Sequence, residues 1–148
     1  MNWRNKKIHL VGLKGAGMSG LAILLKAAGA SVSGSDTAEE FPSDEVLARE
    51  KISVREFDAK NIVPGTDLLI YSSAYGPEHP ERKTARQLGI PEQSYAEALA
   101  AFAKEREVIV VTGTHGKTTT TALLGQIFEA SGLDPVVLAG DIIKSWGS

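Results

Sequence analysis

The sequence predicts an α/β protein with a parallel sheet covered on both faces, and three observations carry that prediction. Short apolar, β-branched runs alternate with stretches of helical periodicity along the chain. Glycine-rich turns join such a run to a helix at two places, Gly12–Gly20 and Thr112–Thr118. Small polar residues end the other runs, at Ser35-Asp36 and at Ser72-Ser73-Ala74. In open parallel sheets, ligands collect beyond the carboxyl ends of the strands, where these residues fall.

Taken in order, Ile8-His9-Leu10-Val11 reads as a buried first strand opening into the loop Gly12-Leu13-Lys14-Gly15-Ala16-Gly17. Met18, Leu21, Ala22, Leu24, Leu25 and Ala28 then recur at helical spacing, and Gly29 stops that helix. Ala30 to Gly34 is a short second strand that delivers Ser35 and Asp36 at its end. Pro42 to Glu50 reads as a helix with Val46 and Leu47 on its apolar side. Asp67 to Tyr71 is a further strand leading into Ser72–Ala74. Glu78 to Leu88 is helical after Pro77 and is capped by Gly89, and Tyr95 to Ala103 forms a small alanine-rich helix.

The charged stretch Lys104-Glu105-Arg106-Glu107 separates this unit from the remainder of the chain, which gives a first domain of 1–104 and a second of 105–148. Val108-Ile109-Val110-Val111 is predicted as a strand, Thr119 to Ala130 as a helix, and Val136-Val137-Leu138 as another strand after the turn Gly132–Pro135. A phosphate-loop domain needs more strands than these, so the second domain is expected to be incomplete and the chain to be the N-terminal portion of a larger protein.

Composition narrows the function. Hydrophobic residues at 43% and charged residues at 23% over 148 residues describe an ordinary globular protein. A net charge of -2 gives no basic surplus for nucleic acid or an anionic membrane surface. Phosphate binding must then come from loops and helix ends. With no cysteine, thiolate nucleophiles, disulfides and cysteine zinc sites are excluded. No stretch approaches the roughly 20 apolar residues of a membrane span, and a cytoplasmic location is the expectation.

The second glycine loop is the more specific of the two. Gly113-Thr114-His115-Gly116-Lys117-Thr118-Thr119 joins a strand-like run to a helix start, the arrangement that wraps phosphates in backbone N–H groups. Lys117 would reach the β and γ phosphates of a nucleotide, and the Thr118 hydroxyl would be free to hold Mg²⁺. A bare strand-to-helix turn explains the glycines, but not a lysine set against the positive end of a helix dipole. In the first loop, Gly15-Ala16-Gly17-Met18-Ser19-Gly20 fits the dinucleotide pattern, with Asp36 about 20 residues further on. That pattern points to a diphosphate-bearing ligand and leaves its base open.

These stretches, Val11 to Gly20, Ser33-Gly34-Ser35-Asp36, Ser72–Ala74 and Gly113 to Thr120, together resemble the Mur ligases of peptidoglycan synthesis. Within that family they are most similar to the members acting on UDP-N-acetylmuramate, whether those add L-alanine or a ready-made tripeptide. The resemblance implies a Rossmann-like first domain followed by the start of the ATP-binding phosphate-loop domain. It also implies ATP-dependent amide formation, in which the sugar carboxylate becomes an acyl phosphate that an amine then attacks. Gly15, Ala16, Gly17, Met18, Ser19, Ser35, Asp36, Ser72, Ser73 and Ala74 would contact the UDP-sugar. Gly113 to Thr119 would hold ATP, with Lys117 and Thr118 as the catalytic pair. Because the family's remaining parts are missing, the 148-residue chain is expected to be inactive alone.

Lys14 stands where the family usually has glycine; it would either add a cation that contacts the diphosphate, which is the expectation, or crowd the backbone approach that glycine permits. His79 stands where the family often has asparagine and receives no role. His115 is read as a loop-shaping residue. Two other function classes are open: a non-catalytic nucleotide or NAD-binding module, and a phosphate-loop hydrolase that uses the first domain as a scaffold.

Overall fold

The computed structural model describes residues 2–104 and 106–139. Glu105, within the predicted domain boundary, and residues 140–148, at the end of the predicted second domain, lie outside the described residues. The chain divides into two compact units, Met1–Glu105 and Arg106–Ser148.

The first unit is a five-stranded, all-parallel sheet. Its strands are β1 (Lys7–Val11), β2 (Ser31–Asp36), β3 (Ser53–Glu56), β4 (Leu68–Tyr71) and β5 (Glu92–Ser94), in the order β3-β2-β1-β4-β5. Four helices accompany it: α1 (Ala16–Ala27), α2 (Ser43–Arg49), α3 (Pro80–Gln87) and α4 (Tyr95–Ala103). A 3-10 turn spans Ala59–Asn61.

Alternation along the strands sorts the core into two clusters. Ile8 and Leu10 of β1 and Leu68 and Ile70 of β4 pack with Leu21 and Leu25 of α1, Leu47 of α2 and Ala98 of α4. Val11 and Leu69 pack in the other cluster with Ile62, Ala85 of α3 and Ile90. His9 lies between Ile8 and Leu10 on β1, so it shares Val11's side and meets α3 there. This two-sided covering makes a doubly wound α/β unit.

Two strands in this unit escape the sequence reading. β3, Ser-Val-Arg-Glu, and β5, Glu-Gln-Ser, are the edges of the sheet. Edge strands are commonly short and polar, which blunts unwanted pairing and also erases the apolar signature of a strand.

In the second unit, helix α5 (Lys117–Ala130) forms as expected and begins slightly earlier than periodicity suggested. The predicted strands at Val108–Val111 and Val136–Leu138 do not form among the described residues, and this is a correction. Val108, Ile109 and Val110 are 56%, 62% and 73% exposed. A β-branched run becomes a strand only against a partner that completes its hydrogen-bond ladder, and among the described residues neither run has one.

Candidate functional site

The sheet order creates a switch point between β1 and β4. The crossover from β1 runs to β2 on one side, while that from β4 runs to β5 on the other. The loops leaving the carboxyl ends of β1 and β4 therefore frame a crevice. They touch directly: the Ser72 N–H donates to the Val11 carbonyl at 3.0 Å.

The first glycine loop is organised by the end of β2. The N–H groups of Gly12 and Leu13 both donate to the Ser35 carbonyl, at 2.9 and 3.1 Å. The Lys14 N–H donates to Asp36 Oδ2 at 2.7 Å, and the Gly15 N–H turns back to the Gly12 carbonyl at 3.4 Å. Four successive donors are thus consumed inside the protein. The next three, on Ala16, Gly17 and Met18, open α1, where no carbonyl within the helix can accept them. The first helical bond runs from the Ser19 N–H to the Gly15 carbonyl at 2.8 Å. No side chain caps this end, and its first turn carries no acidic residue. The result is a cradle of donors without an acceptor among the described residues, at the positive end of a twelve-residue helix facing the switch point.

Two tyrosines shape that cradle. Gly12 has φ +82, and a Cβ there would lie 2.5 Å from Tyr75 Cε2. Tyr75 folds back across the loop, its hydroxyl 3.3 Å from Asp36 Oδ1 and its ring edge-on to Phe57 at 4.8 Å. Burial, and then the neighbouring Asp36 charge, push its phenol pKa up. At Gly17 a Cβ would meet Tyr95 Cζ and its hydroxyl oxygen, each at 2.9 Å, so Tyr95 rests against the first turn of α1. Burial raises this phenol too, which keeps it a neutral O–H donor.

The sequence-derived residues divide accordingly. Gly15, Ala16 and Gly17 lie at the surface of the cradle, whereas Met18 and Ser19 are buried and offer it only backbone. The Ser19 hydroxyl donates to the Ala16 carbonyl at 3.0 Å. Ser73 and Ala74 are exposed beside the crevice; Ser72 is half-buried, its hydroxyl oxygen accepting from the Ala74 N–H at 3.4 Å. Asp36 is 3% exposed, and its carboxylate takes N–H groups from Lys14 and Thr37, the latter at 2.8 Å. Ser35 is wholly buried, its hydroxyl donating away from the crevice to Glu81. Both residues act on the loop's shape in this structure, from beneath it.

Lys14, expected at the diphosphate, is engaged within the protein in this structure. Its ammonium donates to the Glu39 carbonyl at 2.6 Å and pairs with Asp44 at 3.3 Å, at the start of α2. The Lys14 carbonyl meanwhile accepts from the Ser43 hydroxyl at 2.6 Å. The side chain ties 39–44 to the loop. His79 sits before α3 with its ring edge-on to Phe57 and Tyr75, at 4.7 and 5.3 Å, and burial lowers its pKa.

The second loop is described within its own unit. Gly116 adopts φ 78 immediately before α5, and no side chain caps that helix. Lys117 folds over the loop, its ammonium donating to the carbonyls of Gly113 and Thr114 at 2.6 and 3.3 Å. Thr114 and His115 are exposed, as is Thr119, and Thr118 is half-buried. The first turn of α5 carries no acidic residue. An exposed lysine over a glycine turn at an uncapped helix start fits a triphosphate. Among the described residues no group of three or more His, Asp or Glu gathers to hold a metal. Magnesium here fits only as a phosphate-borne ion with a hydroxyl ligand, a mode it commonly uses.

Sequence reasoning passed over Tyr75, Tyr95 and Glu81. Tyr75 lies one residue beyond the flagged loop. Glu81 had a readable signal: His9, Ser33 and Ser35 sit at alternate positions of adjacent inner strands, a polar stripe that demands a buried partner.

Fold and site define a Rossmann-like α/β protein with an uncapped helix start at the switch point of its sheet. The chain belongs to the Mur ligase family, a family of ATP-dependent ligases: residues 7–107 match the model described as "Mur ligase family, catalytic domain". It is 45% identical over 141 residues to the UDP-N-acetylmuramate–L-alanine ligase of Desulfitobacterium hafniense, covering 95% of this chain and 31% of that protein. It is 45% identical over 140 residues to the enzyme of the same name from Treponema pallidum, covering 93% and 29%. Among solved structures, the UDP-N-acetylmuramate-alanine ligase of Thermotoga maritima superposes with a TM-score of 0.87 at 33% identity, over 94% of this chain and 33% of that one. A murein peptide ligase from Psychrobacter arcticus gives 0.80 at 31% identity, over 86% and 27%. The chain therefore spans about a third of the length of the relatives it matches. No helix among the described residues is long and apolar enough to cross a membrane.

Proposed function

We propose that this chain carries the UDP-sugar-binding domain, residues 1–104, and the beginning of the ATP-binding domain, 105–148, of a ligase that joins L-alanine to UDP-N-acetylmuramate. The observation that carries the reading is the pair of uncapped helix starts, α1 and α5, each behind a glycine turn. The N–H groups of Ala16, Gly17 and Met18 bind the diphosphate, with Gly15, Ser72, Ser73 and Ala74 lining the crevice. Ser35, Asp36 and Ser19 contribute by fixing the loop. Gly113 to Thr119 hold ATP; Lys117 offsets phosphate charge and Thr118 ligates Mg²⁺, so that a carboxylate and a triphosphate, both anions, can approach one another. ATP supplies the phosphoryl group that activates the sugar's carboxylate as an acyl phosphate, ADP leaves, and the amine of L-alanine displaces phosphate. The chain alone makes no amide. The 45% identity to two ligases of that name supports the choice of substrate.

A second acceptor is supported by the likeness to a murein peptide ligase: a ready-made peptide in place of alanine. Calorimetric titration of the chain with UDP-N-acetylmuramate, UDP and NAD tests the shared part. Binding of the first two and none of NAD is expected. NAD binding without a response to UDP-N-acetylmuramate would overturn the reading in favour of a dinucleotide module, and phosphate release from ATP without any sugar nucleotide would favour a hydrolase.

A further inference from the structure

Beneath the first glycine loop lies a buried polar cluster that the ligand reading does not use. Glu81, on α3, is fully buried. Its Oε2 accepts from the Ser35 hydroxyl at 2.5 Å and lies 3.1 Å from His9 Nε2. Its Oε1 accepts from the Asp58 N–H at 3.1 Å and from Asn61 Nδ2 at 2.8 Å. His9 Nδ1 in turn lies 3.1 Å from the Ser33 hydroxyl. One carboxylate thus joins β1, β2, the 3-10 turn and α3.

Ser35 connects this cluster to the glycine loop. Its hydroxyl belongs to Glu81, while its carbonyl receives the N–H groups of Gly12 and Leu13. Where those two N–H groups sit fixes where Gly15 turns and where the first turn of α1 points its donors. A carboxylate that accepts several buried hydrogen bonds holds its donors more tightly than a neutral acceptor would. The hydrophobic contacts of α3 alone do not account for a buried charge, which costs free energy unless it is fully bonded.

We infer that Glu81 is a positioning residue for the first glycine loop, acting through the Ser35 hydroxyl on the backbone that aims the anion cradle. It touches no ligand. The inference extends the proposed UDP-sugar site and rests on that reading for its consequence in binding, though not for its effect on the loop.

The test uses the full chain, isotopically labelled, with two substitutions, Ser35→Ala and Glu81→Gln. Ser35→Ala deletes one hydroxyl and leaves Glu81 its other donors; it carries the test if Glu81→Gln folds poorly. Amide hydrogen exchange is read at Gly12 and Leu13 against Leu69 and Ile70 in the core. Acceleration of about tenfold at the loop amides, with the core amides changed less than about threefold, is expected from losing one charged hydrogen bond at a locally opening segment. The affinity for UDP-N-acetylmuramate should fall in parallel. Loop exchange that stays at the wild-type rate, or that rises by the same factor as the core, would overturn the inference. A loop that responds in a chain unable to bind UDP-N-acetylmuramate would retain the positioning role and refute the ligand. Binding with an unresponsive loop would do the reverse.

Discussion

Replacing Gly12 with alanine should be among the most damaging single-methyl additions in the first unit, and the structure separates the damage into two parts. The backbone at Gly12 is left-handed, φ +82, which costs an L-residue about 1–2 kcal/mol. The added Cβ would also lie 2.5 and 2.9 Å from two ring carbons of Tyr75 and 3.0 Å from Ser72 Cβ. That ring cannot swing away freely, because its hydroxyl is bonded to Asp36 and it makes edge contacts with Phe57 and His79. Overpacking of this kind adds about 1–3 kcal/mol, for a total of about 2–5 kcal/mol. Urea denaturation followed by circular dichroism measures it, with Tyr75→Ala as the second arm of a double-mutant cycle. Without the ring the left-handed backbone and the 3.0 Å approach to Ser72 Cβ remain, so Gly12→Ala should then cost at least about 1–2 kcal/mol, and less than with the ring present. Gly65→Ala is the control, since φ there is +92 and nothing lies within 4 Å of its Cβ. Equal costs of Gly12→Ala with and without the tyrosine ring would refute the argument that Tyr75 closes over the loop.

Three further outcomes are expected at the site. Lys14→Ala should lower stability by about 1 kcal/mol by releasing Asp44 and the Glu39 carbonyl, yet leave the salt dependence of UDP-N-acetylmuramate binding unchanged; a flatter dependence in calorimetry would return the ammonium to the ligand. Tyr95→Phe should weaken that binding about three- to tenfold with a change in stability under about 0.5 kcal/mol, measured by the same titration and urea melts. Acid should destabilise the first unit. Burial alone would raise the Glu81 carboxyl, but the bonds from His9, Ser35 and Asn61 outweigh it and hold the group below the usual glutamate value. A depressed folded pKa means the contribution is complete above the unfolded value and is lost as pH falls through the folded one. The urea midpoint should stay level from neutral pH down to the ordinary carboxylate range and drop below it, and this drop should shrink in Glu81→Gln.

Legibility in the sequence tracks the length scale of the physics. β1, α1, β4 and α4 announce themselves because each buries a periodic apolar face, as Ile8 with Leu10 and Leu21 with Leu25 do. The glycine loop is legible for a different reason, since few residues tolerate the backbone at Gly12 or the contact at Gly17. The internal hydrogen bonds of Ser35, Asp36 and Lys14 were not legible. Only the fold decides whether such a polar side chain turns to Glu81, the Lys14 N–H or Asp44. The runs at 108–111 and 136–138 failed in the opposite sense: their strand propensity is genuine, but propensity is realised only through pairing.

That last contrast bears on the two cradles themselves, because a helix terminus aims an anion site only as firmly as the chain before it is held. The strand feeding the first loop, β1, is central and pairs with β2 on one side and β4 on the other, and β2 additionally grips the loop through Ser35 and Asp36. The run feeding the second loop has no ladder among the described residues, and the loop's shape is kept by Lys117 on the carbonyls of Gly113 and Thr114. A phosphate must draw that ammonium off its carbonyls and order the preceding backbone, at about 1–2 kcal/mol for each residue fixed. The chain should consequently bind UDP-N-acetylmuramate more tightly than a non-hydrolysable ATP analogue, by at least about tenfold for each 1.4 kcal/mol of such ordering. Calorimetry of both ligands at one magnesium and salt concentration decides it. An ATP analogue that bound as tightly as the sugar nucleotide would mean that the second loop is as firmly held as the first, and that the pairing of the upstream strand is not what sets the strength of these sites.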